Sequence, residues 1–140
     1  MRHSALAVVL VLTGCAGAAP EGDAVGVEAR STLAAMAAEF QGERAEDFFA
    51  RFDRTDFPNY EAFRERTRDF LLRNRQVTVD IIVDAVLAER GEVSVSARWN
   101  RSFIDEQGSH KLEDGRCEFV FRRRPSGGLA LLALHGNSPF

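Results

Sequence analysis

The sequence predicts an α+β domain: three helices, then about four strands that pair in order as a curved antiparallel sheet whose concave face the helices cover. Two observations predict it. Apolar residues recur at i, i+3, i+4 and i+7 between residues 27 and 73, and from residue 77 onward they alternate with polar ones.

In order, Leu33, Met36, Ala37 and Phe40 form the apolar stripe of a first helix over 27–41, which Gly42 interrupts. A shorter helix is expected over 43–52, with Phe48, Phe49 and Phe52 buried and Glu43 and Glu46 well placed in its first turn. Asp56-Phe57-Pro58 supplies an N-cap and a first-turn proline for a third helix, which carries Tyr60, Phe63, Thr67, Phe70 and Leu71 on one side. Its other side holds the acid-before-base pairs Glu61/Arg64, Glu65/Arg68 and Asp69/Arg73, each worth about 0.2–0.5 kcal/mol on an exposed surface.

After Asn74 the period becomes extended. Residues 77–87 are rich in Val and Ile, and Glu89-Arg90-Gly91 turns the chain back. Val93, Val95, Ala97 and Trp99 then alternate with Ser94, Ser96, Arg98 and Asn100, so a half-buried strand should reach Ile104. A polar turn over 105–109 precedes a third strand over 111–124, and Pro125-Ser126-Gly127-Gly128 leads into a last strand over 129–135.

The N-terminus is of another kind. Met1-Arg2-His3-Ser4 and the apolar run 5–12 read as the charged region and short apolar region of a secretory signal, too short to cross a bilayer. The following Leu12-Thr13-Gly14-Cys15 resembles the lipobox of bacterial lipoproteins. That resemblance implies cleavage before Cys15, a diacylglycerol thioether and palmitate-type acylation there, and attachment to the cell envelope. Ala16, where an aspartate would favour the inner membrane, implies the outer membrane facing the periplasm. The alternative is an ordinary secreted protein cut near residues 16–19. Residues 1–14 are thus expected to be a signal peptide, 15–26 an unstructured Ala/Gly/Pro/acidic tether, and 27–140 one domain.

Composition restricts the partners. The chain has 18 basic and 21 acidic residues, and loss of Arg2 with the signal leaves 17 against 21, a balance unlike that of a nucleic-acid binder. Lipidation would consume one of the two cysteines, leaving Cys117 without an intramolecular partner and the domain without a disulfide. The histidines at 3, 110 and 135 have no metal-ligand spacing, and there is neither a phosphate loop nor a nucleophile elbow, so no cofactor or metal is expected. The run Arg122-Arg123-Arg124 reads as a solvated strand end, with anionic lipid headgroups as an alternative partner.

Two stretches carry a further resemblance: Gly91-Glu92-Val93-Ser94-Val95 leading to Arg98-Trp99, and Cys117-Glu118-Phe119-Val120-Phe121-Arg122-Arg123 followed by Gly127-Gly128-Leu129-Ala130-Leu131-Leu132. With the helix-then-strand order they resemble the nuclear transport factor 2-like superfamily, which includes ketosteroid isomerases and polyketide cyclases. The resemblance implies a cone-shaped domain over 27–136 with a pocket inside. The small hairpin common between the second and third helices has room only in residues 53–59.

Enzymes of that superfamily place a carboxylate base and polar donors inside the cone, where an apolar wall tunes them. The acid–base candidates here are Asp80 and Asp84, and the pocket candidates are Trp99, Tyr60, Phe63 and His135. Strand parity sets both aspartates opposite Val77, Val79, Ile81 and Val83, and so on the outer side of the sheet. The reading these residues favour is a membrane-anchored, non-catalytic accessory or small-ligand-binding domain of the cell envelope, its cone pocket lined by Trp99 and phenylalanines. Two alternatives remain: an isomerase or dehydratase with its acid in the cone, and a module that binds an envelope protein or a second copy of itself.

Overall fold

The computed structural model describes residues 21–42 and 44–140. The signal, the lipobox and Cys15 lie outside the described residues. Along the chain run α1 (Glu21–Gln41), α2 (Ala45–Phe49), α3 (Tyr60–Arg73), β1 (Arg75–Glu89), β2 (Glu92–Ile104), β3 (His110–Arg123) and β4 (Leu129–Gly136). The strands form one sheet in the order β1-β2-β3-β4, each antiparallel to its neighbour. The architecture is α+β, as the two periodicities predict.

Three boundaries differ from the sequence expectation. The tether was expected to reach residue 26, but α1 begins at Glu21. Val25 packs against the core and Gly26 is buried, so tertiary contact extends a helix that lacks an apolar stripe there. The second helix stops at Phe49 because the next residues join the sheet. Leu131 N–H donates to the Arg51 carbonyl and Asp53 N–H to the Leu131 carbonyl, both at 2.8 Å, which makes a parallel bridge between Phe52 and Leu131.

The third helix begins four residues after Asp56. Asp53 Oδ1 accepts from the N–H groups of Thr55 (3.2 Å) and Asp56 (3.1 Å), so 53–57 is a turn. Asn59 sits in the left-handed region at φ 52°, which asparagine tolerates better than most residues, and α3 starts after it. Residues 53–59 form turns and hold no hairpin.

The concave face of the sheet is covered by aromatic rings. Val95, Ala97, Trp99, Phe103, Cys117, Phe119 and Phe121 point inward from β2 and β3 and meet Leu33, Met36 and Phe40 of α1 and Phe48 and Phe49 of α2. Phe140 enters the same cluster, its ring 4.8 Å from Phe48, 5.2 Å from Phe40 and 6.2 Å from Phe119. Burying one such side chain contributes roughly 1.5–3 kcal/mol, and favourable ring pairing adds about 0.5–1.5 kcal/mol. A second group forms at the other end of the helical layer, where Phe52 lies 5.0 Å from Phe57 and 5.1 Å from Phe63.

Arginines tie the layers together. Glu39, almost wholly buried, accepts from Arg51 Nε at 3.1 Å and Nη2 at 2.7 Å, joining α1 to the end of α2. The arginines of α3 serve tertiary contacts more than helical pairs: Arg64 and Arg68 both reach Glu46 of α2, and each guanidinium lies 5.6 Å from the Phe49 ring centroid. The Arg68 hydrogen bond holds the Glu46 carboxyl below its usual range. The run at 122–124 is used inside the molecule. Arg122 pairs with Asp53 and Asp56, Arg123 with Glu28 at 2.8 Å, and Arg124 donates to the Ala50 carbonyl at 2.6 Å.

Two outcomes follow from this packing. Phe48→Ala removes a ring that is wholly buried at the centre of the cluster, and should cost about 3–5 kcal/mol in equilibrium unfolding by denaturant. Cys117 is buried on β3, and desolvation pushes its thiol from 9.0 up to about 11. Its folded value is the higher one, so the neutral thiol contributes stability that is complete below pH 9 and lost as pH rises towards about 11. The stability gap between the unmodified chain and Cys117→Ala should narrow across that window, while iodoacetamide at pH 8 should label the thiol only after unfolding.

Candidate functional site

Inside the cone, Trp99 is buried and its Nε1–H donates to the Asn137 carbonyl at 2.7 Å. The indole lies against Gly115 of β3, where a Cβ would come within 2.7 Å of the ring. Phe40, Phe48, Phe119 and Phe140 occupy the remaining depth. Where a pocket lined by Trp99 and phenylalanines was expected, the rings of Phe40, Phe48, Phe119 and Phe140 pack on one another and Trp99 packs on Gly115.

Next to Trp99 on β2 stands a residue the sequence reading passed over. Arg101 follows Trp99 at inward parity on β2, and its side chain is only 12% exposed. Its guanidinium lies 4.3 Å from the Phe70 ring centroid, 5.8 Å from Trp99 and 5.7 Å from Phe103, donates to the Pro139 carbonyl at 3.0 Å, and pairs with Glu113 of β3. The signal was available: in the alternating series Val93, Val95, Ala97, Trp99, Arg101, Phe103, one inward position is charged. Its carboxylate partner accepts hydrogen bonds from Arg101 and so is occupied as an acceptor.

The other candidates are dispersed. Asp80 and Asp84 are exposed on the outer face of β1, where Asp84 receives Arg98 Nε at 3.0 Å and Nη2 at 2.7 Å. That hydrogen-bonded pair lowers the Asp84 carboxyl below its usual range. Neither aspartate enters the cone. Tyr60 is buried at the start of α3 beside Phe52 and Phe57, and its hydroxyl has no hydrogen-bond partner among the described residues. His135 pairs across β4 and β3 with Glu118 on the outer face and is exposed. Phe63 and His135 do share one feature, an open cleft of about 540 Å³ between the first turn of α3 and the edge of β4, with Arg66 on its rim. Trp99 and Tyr60 do not line it. Among the described residues, no group of three His, Cys, Asp or Glu side chains could hold a metal ion.

A larger cleft, about 930 Å³, lies where the last turns of α1 and α3 meet the start of β1. Phe40, Leu71 and Val77 make its apolar wall, and Arg68, Arg75 and Gln76 its polar rim. Leu72, on the same rim, is 86% exposed. At this cleft β1 carries a bulge: Arg75 pairs with Ile104 and Thr78 with Ser102, so Gln76 and Val77 together oppose Phe103. Gln76 takes up the extra length at φ 51°, a left-handed conformation costly for a residue with a Cβ. No sequence signal marked this position, because a bulge depends on the register of the partner strand.

No family model matches this sequence, and no curated protein is significantly similar to it. Solved structures are similar in fold. A nuclear transport factor 2-like superfamily protein from Salmonella enterica superposes with a TM-score of 0.68 at 12% identity, over 84% of this chain and 93% of that one. A candidate dehydratase of the same superfamily from Streptomyces avermitilis gives 0.70 at 13% identity, over 84% and 99%. A candidate aromatic ring hydroxylase from Novosphingobium aromaticivorans gives 0.69 at 15% identity, over 81% and 88%. At such identities the likeness extends to architecture alone: this chain has the nuclear transport factor 2-like fold.

Proposed function

We propose that the protein is a lipid-anchored domain of the bacterial cell envelope, held at Cys15 on the periplasmic side of the outer membrane, that binds a small apolar ligand without transforming it. One observation carries the non-catalytic part. The rings of the interior pack on one another, and among the described residues its inward carboxylate, Glu113, is held by Arg101, which favours a structural over an acid–base role. The open apolar cleft at the end of α1 replaces the cone as the place for a ligand. α1 is 21 residues long, so it would set that cleft roughly 30 Å from the end of the helix that faces the anchor.

A second reading is favoured by the company the fold keeps. Structures of this architecture include a candidate dehydratase and a candidate aromatic ring hydroxylase, which supports an isomerase or dehydratase activity that uses a ligand bound beside Arg101 and Glu113. The outer face of the sheet, with Ile82, Leu87 and Leu112 exposed, supports pairing with a second copy.

Two measurements test these readings. Expressed in a diderm bacterium, the full chain should incorporate an alkynyl palmitate analogue and sediment with outer membranes, and Cys15→Ser should do neither; unchanged labelling in the variant would remove the anchor from the reading. The full chain should also enhance the fluorescence of N-phenyl-1-naphthylamine, and Leu71→Asp should reduce that enhancement at least about tenfold by placing a charge on the apolar wall. Probe binding lost in Glu113→Gln but intact in Leu71→Asp would instead locate the site in the cone and favour the enzyme.

A further inference from the structure

We propose that the cleft at the ends of α1 and α3 is selective for an amphiphilic carboxylate, a fatty-acid-like molecule whose head is held by Arg75 and Gln76 and whose apolar body lies along Phe40, Leu71 and Val77. The inference rests on the ligand-binding reading above and adds the chemical class of the ligand. The cleft's volume, about 930 Å³, falls within the range of small-molecule sites. Among the described residues that line it, the charged ones, Arg68 and Arg75, are both basic.

The polar groups of the lining differ in what they have left to offer. Asn74 Nδ2 donates to the Phe70 carbonyl at 2.8 Å, Gln41 Nε2 donates to the Ala37 carbonyl at 2.9 Å, and Arg68 is engaged with Glu46. Arg75 and Gln76 make no side-chain hydrogen bond or ion pair to any described residue, although both border the cleft. Adjacent free guanidinium and amide donors match the two oxygens of a carboxylate, since the guanidinium fork meets a carboxylate in bidentate fashion. The bulge brings these two side chains to the cleft. It sets Gln76 at φ 51°, where glycine would be unstrained, so the backbone beside Arg75 is held in an unfavourable conformation.

The test uses the full chain carrying Cys15→Ser, so that no attached lipid competes, and calorimetric titration with dodecanoate, dodecanol and dodecyltrimethylammonium. Dodecanoate should bind at least about tenfold more tightly than dodecanol, the ratio that one charge-assisted hydrogen bond supports, and the cation should bind most weakly. Arg75→Gln should abolish the margin of dodecanoate over dodecanol while leaving the melting temperature unchanged, since Arg75 is exposed. Gln76→Gly should raise the melting temperature by relieving the backbone and yet weaken dodecanoate binding; unaltered binding would remove Gln76 from the head-group site. Equal affinities for all three probes, or a margin that survives Arg75→Gln, would overturn the carboxylate assignment and leave the apolar-ligand reading standing. Failure of all three to bind would overturn both.

Discussion

The rest of this structure depends on the need to cover the concave face of a curved antiparallel sheet. Such a sheet is stable in water only when one face is dry. In this chain the covering material is phenylalanine, supplied by α1, α2 and the segment after β4. The rings of Phe40, Phe48, Phe119 and Phe140 fill the volume in which a more open cone would hold a ligand. Filling has a functional consequence. It moves the accessible cavity from the axis of the cone to its rim, where α1 and α3 end and β1 begins.

Charge then arranges what apolar packing has gathered. Isolated ion pairs on a surface contribute little, typically about 0–1 kcal/mol, and most pairs here are of that kind. Their value lies in direction. Arg51 and Glu39 fix where α2 leaves α1, Arg64 and Arg68 span from α3 to Glu46, and the arginines at 122–124 hold β3 against the loop after α2 and against α1. Each of these links crosses between elements, so each opposes sliding of the helical layer over the sheet. The Arg101 guanidinium does the same, enclosed by Trp99, Phe70 and Phe103, with a carboxylate and a main-chain carbonyl as acceptors. A buried guanidinium is tolerable only with such partners, because an unpaired one would retain the full cost of its lost hydration.

The fold thus separates two tasks. The cone interior is a packed aromatic body with neutralised charge, whereas the clefts at its periphery retain open volume and uncommitted polar groups. Architecture shared with a candidate dehydratase and a candidate aromatic ring hydroxylase establishes the fold alone, because function resides in side chains placed on a fold.

The sequence by itself determined the element order, the meander, the inward residues of β2 and the outer position of Asp80, because each follows from a period of two or of 3.6 that any local window displays, whereas Asp84 sits in a register shift of β1 and is held outward by Arg98. It also contained the lipobox-like Leu12-Thr13-Gly14-Cys15, which bears on address more than on shape. Tertiary structure alone decided the rest. The bulge at Gln76 depends on its register against Phe103 of the partner strand, the early end of α2 on the bridge from Phe52 to Leu131, and the extra turns of α1 on contacts made by Val25. Trp99, Tyr60, Phe63 and His135 each matched a buried or terminal pattern, but periodicity assigns a residue to a face and not to a cavity. Which faces meet, and where they leave a gap, is settled by packing between elements far apart in the chain.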